Sequence, residues 1–100
     1  MTEQLTPEHF RPHLDKVFRV QGGRHVLTLT EVHARLLSEA ERKVVPRQPF
    51  TLVFRGPPGD VLREGPYILE VEEGGPGFEL YVMPIHTPAR DRQDYQSTFN

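Results

Sequence analysis

His9 and His13, and Glu72 and Glu79, are the side chains in this chain whose types and spacing could carry chemistry. The two histidines stand four apart, the spacing that sets two imidazoles on one helical face around a divalent metal. Between them "FRP" lacks the glutamate of a zinc-protease motif, and Pro12 strains the helix that the geometry needs. No spacing brings His25, His33 or His86 in as a third ligand. No metal site is expected, and both histidines read as surface groups.

Glu72 and Glu79 face each other across a proposed hairpin, on the face away from the core. Two carboxylates so placed can divide acid and base roles if their surroundings push their pKa values apart. Glycoside hydrolysis, however, needs a cleft long enough for a sugar, and a small filled barrel leaves little room. Two solvated acids that discourage edge pairing are the plainer reading. Ser38 and Ser97, the only serines, sit in "LLSEA" and "YQSTF", outside any nucleophile elbow. With no cysteine in the chain, thiolate chemistry and disulfides are excluded. Neither a catalytic residue nor a cofactor is expected.

"RGPPGD", Arg55 to Asp60, has the glycines and charges of a phosphate cradle. A cradle works through successive inward N–H groups at a helix start. Pro57 and Pro58 have no N–H, and the following "DVLREGPY" leads into a strand. The stretch therefore reads as a turn, with Gly59 as its permissive position and Asp60 bonding its own backbone.

The elements that must position these residues are mostly strands. Ten prolines and eight glycines in 100 residues argue against a helix bundle. "TPEHF" starts a short helical segment that ends by Lys16, with Phe10 and Leu14 on one face. In "VFRVQGGRHVLTLTEVH", Gly22-Gly23 turns a hairpin that sets Phe18 opposite Leu27 and Val20 opposite His25. "ARLLSEAERKVVPRQ" reads as a polar connection. Phe50, Leu52 and Phe54 share one strand face, as do Tyr67, Leu69 and Val71, then Phe78, Leu80 and Val82; Tyr95 and Phe99 close the chain. The register expected for the last hairpin sets Leu69 opposite Val82, Val71 opposite Leu80 and Ile68 opposite Met83.

The expected fold is mainly β: an antiparallel six-stranded meander closing into a small barrel, with a sandwich as its rival. Residues 1–100 make one domain, in which the helical segment 1–16 packs on the barrel.

Ile68, Tyr81, Met83 and Ile85 fall on the outer face of the last hairpin, which should be wet and is half apolar. Either Leu5, Phe10 and Leu14 of the amino-terminal segment cover it, or a protein partner or second copy does. These four, with Arg55 at the rim of an apolar strand, are the candidate partner-binding residues. The formal charge of −2 offers no basic stripe for nucleic acid. Of a possible stacking platform of Tyr67, Phe78 and Tyr81, the first two fall on the core face. No apolar run approaches the ~20 residues of a spanning helix, and no secretory signal is visible. A soluble cytoplasmic protein is expected, with neither nucleic-acid nor membrane partners.

"PFTLVFRGP", "GPYILEVE", "GFELYVMPI" and the closing "YQSTFN" resemble a family of small bacterial proteins of unassigned function. Its pattern is Phe-x-Leu-x-Phe-Arg-Gly-Pro, a Gly-x-Tyr strand, a Phe-x-Leu-x-x-x-Pro-Ile strand and a closing Tyr…Phe-Asn. The likeness runs from Leu5-Thr6 through Asn100. It is specific for family and nearly silent about activity. The resemblance implies a place beside phage-tail-like collar proteins, and so an assembly partner. "EVEEGGPG" is richer in glycine and acid than that pattern, which puts the tip of its hairpin in doubt. The function expected is a non-enzymatic protein-interaction or assembly domain of a tail-like particle. The alternative is a small-molecule-binding barrel or a small hydrolase using the carboxylate pair.

Overall fold

The computed structural model describes residues 5–44, 48–72 and 74–99. Residues 1–4 of the expected amino-terminal segment and Asn100 of the closing motif lie outside them. Six strands, β1 (Val17–Val20), β2 (Val26–Ala34), β3 (Phe50–Gly56), β4 (Gly65–Val71), β5 (Gly77–Pro84) and β6 (Gln93–Phe99), close into an antiparallel barrel. The sandwich rival is set aside.

The strand order around the barrel is β1-β2-β3-β6-β5-β4, so the expected meander is corrected in one respect. After three successive neighbours the chain crosses the barrel end and lays β4 beside β1, which is the Greek-key path. The crossing is the "RGPPGD" segment and its continuation, which does more than turn. The Asp60 carboxylate takes two hydrogen bonds from the Arg24 guanidinium, at 2.9 and 2.8 Å, rather than bonding its own backbone. That pair ties the crossing to the tip of the β1–β2 hairpin. On the inner side Leu62 is buried, and its N–H donates to the phenol oxygen of Tyr95 at 2.9 Å. Gly59 has φ +86, the left-handed value that favours glycine.

The β1–β2 hairpin has the expected register, Phe18 opposite Leu27, with the Val20 N–H bonded to the His25 carbonyl. Strand β2 then breaks strict alternation. Between Leu29 and Glu31 the register against β3 shifts by one residue. Without that bulge Glu31 would follow Leu27 and Leu29 inward; with it, Glu31 is exposed and Val32 and Ala34 pack on the core. The polar connection expected after β2 also holds a short helix, α1 (Glu39–Val44). Ser38 and Glu41 cap it reciprocally: the Glu41 N–H donates to the Ser38 hydroxyl, and the Ser38 N–H to the Glu41 carboxylate.

The β4–β5 register departs from expectation by four residues. Leu69 stands opposite Phe78 and Tyr67 opposite Leu80, and the Val71 N–H bonds the Pro76 carbonyl. The turn falls before Pro76, centred earlier in the chain than "GGPG", with Gly74 at φ +79. An even slip leaves every side chain on its face. Leu69, Val71, Leu80 and Val82 are therefore buried as expected, with Phe18, Leu27, Leu29, Phe50, Leu52, Phe54 and Tyr95 around them.

The amino-terminal segment forms two 3-10 turns, Pro7–His9 and Arg11–His13, rather than one α-helix. Pro12 has no N–H to continue an α-helical ladder. Asp15, at φ +67, then bends the chain into β1, its N–H bonded to the Leu29 carbonyl at 2.7 Å. Phe10 and Leu14 do not share a fate. Phe10 is fully buried, its ring 4.6 Å from Phe78, 5.9 Å from Phe50 and 6.0 Å from Phe99, while Leu14 is exposed.

Phe10→Ala should therefore cost about 3–5 kcal/mol, as the lost ring leaves a cavity among three aromatics. Leu14→Ala should cost no more than about 0.5 kcal/mol. Urea denaturation of the two variants beside the parent measures both; equal losses would contradict the packing described.

Candidate functional site

Alternation along β3, β6, β5 and β4 turns the five candidate partner-binding residues outward, spread over neighbouring strands of the barrel wall. Arg55 stands opposite Asp94, whose carbonyl accepts the Ile85 N–H, so Arg55, Asp94 and Ile85 form a row across three strands. Val53, Gln96 and Met83 form the next, and the Gln96 amide donates to the Met83 sulfur at 3.4 Å. On the far side Tyr81 pairs with Pro66, and Ile68 pairs with Glu79, not with Met83 as expected.

Polar groups fix the edges of this face. Asp94 receives the Arg55 Nε at 3.4 Å on one oxygen and the Arg92 Nε at 3.2 Å on the other. The Tyr81 hydroxyl donates to Glu64 at 2.6 Å, which raises its pKa above the ordinary value and keeps the phenol protonated. Ile68 is 42% exposed and Tyr81 49%; Met83 and Ile85 are half-buried. Phe10 turns into the core, Leu5 packs against the core and Leu14 is exposed, so among the described residues these three do not lie across Ile68 and Tyr81 in the way the sequence allowed.

Beside this face the barrel is incompletely sewn. The β5–β6 ladder pairs Met83 with Gln96 and Pro84 with Tyr95, and pairs nothing earlier on β5 among the described residues. A groove of about 940 Å³ follows the unpaired stretch, with Gly77, Glu79 and Tyr81 on one side and Leu5, His9 and His13 on the other. Sequence reasoning missed it. Periodicity says which way a side chain points, not where a ladder between strands stops.

The candidate chemistry is dispersed. His9 Nδ1 accepts the Thr6 N–H at 2.9 Å as part of a capping box, so this histidine is structural rather than a solvated surface group. His13 lies 6.2 Å from the Phe18 ring and 6.1 Å from Phe78, its Nδ1 shielded and without a hydrogen-bond partner among the described residues. Burial first, and Lys16 second, lower its pKa from 6.5. Among the described residues no three histidines or carboxylates are grouped to hold a metal, and no helix is long and apolar enough to cross a membrane. Glu79 faces Ile68 while Glu72 sits at the hairpin turn, so the carboxylates expected to face each other do not. Tyr67 and Phe78 pack on the core, and the Tyr67 hydroxyl donates to the Arg63 carbonyl at 2.6 Å.

The lowered His13 pKa has a signed consequence. Because the folded value lies below the unfolded 6.5, the unfolded chain binds the proton first on acidification. The stability contributed by neutral His13 is present above about pH 6.5 and is lost as the pH falls below it. The urea midpoint should drop between pH 7.5 and 5, and His13→Gln should flatten that drop. A variant with the parent's slope would contradict the assignment.

The comparison with curated proteins and that with solved structures each return no match. A family profile does match, over residues 5–99, which takes in all six strands and the two 3-10 turns before them. By that match the chain belongs to the family described as Domain of unknown function (DUF6916).

Proposed function

We propose that this chain is a non-enzymatic protein-interaction domain that docks a protein partner on the outer side of β4, β5 and β6. Ile68 and Tyr81 are the exposed centre of that surface; Met83 and Ile85 continue it, and Arg55 stands at its rim. One observation carries this reading. The large apolar residue of the amino-terminal segment, Phe10, is buried inside the barrel, which leaves Ile68 and Tyr81 in water. Apolar side chains grouped on a small domain with its own filled core are what a partner surface requires.

The resemblance to proteins found beside phage-tail-like collar proteins favours an assembly or accessory role in such a particle. A hydrolase built on Glu72 and Glu79 has no comparable support, since the strand register does not set them together.

Tyr81→Arg places a charge at the centre of the surface and removes the bond to Glu64 without touching the core. It should leave the fold intact by circular dichroism and weaken co-purification with the partner from native cells by about thirtyfold, the loss of a contact hot spot. Unchanged recovery of the partner with a folded Tyr81→Arg variant counts against the reading.

A further inference from the structure

The seam between β5 and β6 has a hydrogen-bonding consequence separate from the outer face. In the β4–β5 pair the Val71 N–H bonds the Pro76 carbonyl. Antiparallel ladders alternate, so Phe78, Leu80 and Val82 direct their backbone groups toward β4 as well. Gly77, Glu79 and Tyr81 direct theirs the other way, into the seam. The next residue of that phase, Met83, meets Gln96, and Ile85 beyond it bonds Asp94. Tyr81, Glu79 and Gly77 have no strand partner on that side among the described residues. Unpaired among the described residues, their N–H and C=O groups form a row along a groove, which is a template for one more strand.

We propose that this groove is a strand-addition site for an extended segment of another protein, with β-forming apolar residues at alternate positions and a lysine or arginine opposite Glu79. Main-chain bonds to Gly77, Glu79 and Tyr81 supply the affinity, and the alternate side chains supply the choice of partner. Two features select this occupant. The groove is walled by β5 on one side and by Leu5, His9 and His13 on the other, so it takes a lone strand. The charge is equally specific. Glu79 makes no ion pair among the described residues, whereas Glu64 is engaged by Tyr81 and Glu8 by Arg11. A cation directly across a strand pair from Glu79 is favoured, and an acid there is disfavoured.

The site stands whether or not the outer face docks a partner, and the test keeps the two apart. The probe is a blocked octapeptide of alternating valine and lysine, added to the isotope-labelled full chain and followed by NMR. In the free monomer the amides of Gly77, Glu79 and Tyr81 should exchange quickly. Peptide should shift those resonances saturably and slow their exchange by about tenfold or more. Glu79→Lys should weaken binding about fivefold. Ile85→Arg, on the outer face and beyond the free edge, should leave it unchanged. A peptide N-methylated at alternate residues should not bind.

Four results overturn the proposal: those amides already protected in the free monomer, as when the chain's own segment fills the groove; protection that rises with protein concentration, as for a second copy; equal binding of the N-methylated peptide; or no shift at about 1 mM peptide. Loss of binding in Ile85→Arg with an intact fold would place the peptide on the outer face and overturn it too.

Discussion

A barrel this small must either bond every strand to two neighbours or fill the gap where it does not, and among the described residues the structure turns on the seam where the β5–β6 ladder stops. Strands β5 and β6 meet only near Met83 and Gln96. Where they part, the interior would be open to water on the side of Phe50, Phe78 and Phe99. Phe10 closes that opening from within, beside a Phe50–Phe99 stack with centroids 4.3 Å apart. Burying one phenylalanine ring is worth about 1.5–3 kcal/mol. That is a large share of what holds a domain of this size together. The amino-terminal segment is thus part of the barrel wall.

The second dependence is the crossing between β3 and β4, which a meander would not need. A Greek-key crossing carries the chain over the barrel end, where its backbone groups risk being buried without partners. Tyr95 answers this from β6: its oxygen accepts the Leu62 N–H, and burial raises its pKa so that the phenol stays protonated. Gly56 shows how closely the wall approaches there. A Cβ at that position would lie 2.8 Å from Leu27 Cδ2 and 3.3 Å from the Tyr95 ring. The "FRGP" run is therefore read best as geometry: glycine permits the approach, and proline ends the strand and starts the crossing.

Much of this was legible from residue order because side-chain alternation has a period of two and tolerates even errors. The inward residues of β3, β4 and β5 follow directly from their patterns, and they stayed inward although the β4–β5 register slipped by four. What alternation does not encode is which strands become neighbours, and there the meander failed. The bulge at Thr30 was illegible for a related reason. "LTLTEV" alternates well until Glu31, and only the cost of burying that carboxylate signals that the strand must change phase. The candidate surface was partly legible too. Ile68, Tyr81, Met83 and Ile85 were placed on the outer side by pattern alone, but whether the amino-terminal segment covered them depended on where Phe10 would go. Pro12 bears on that, because it divides the segment into two tight turns and removes the helical face that Phe10 and Leu14 would have shared.

That division links the core to the surface. One continuous amphipathic helix would set Phe10 and Leu14 on a common stripe and could lie across the outside of the sheet, covering the apolar residues of β4 and β5. Two 3-10 turns have no such stripe. They deliver Phe10 into the seam, leave Leu14 in water and bring His9 and His13 to the groove wall. The same proline that strains a two-histidine metal site thus frees the outer face and shapes the slot beside it. A change that restored helix through residues 7 to 14 would have to withdraw Phe10 from its aromatic neighbours or turn Leu14 inward beside it. The packing of Phe10 in the barrel and the exposure of Ile68 and Tyr81 are therefore linked through one short segment.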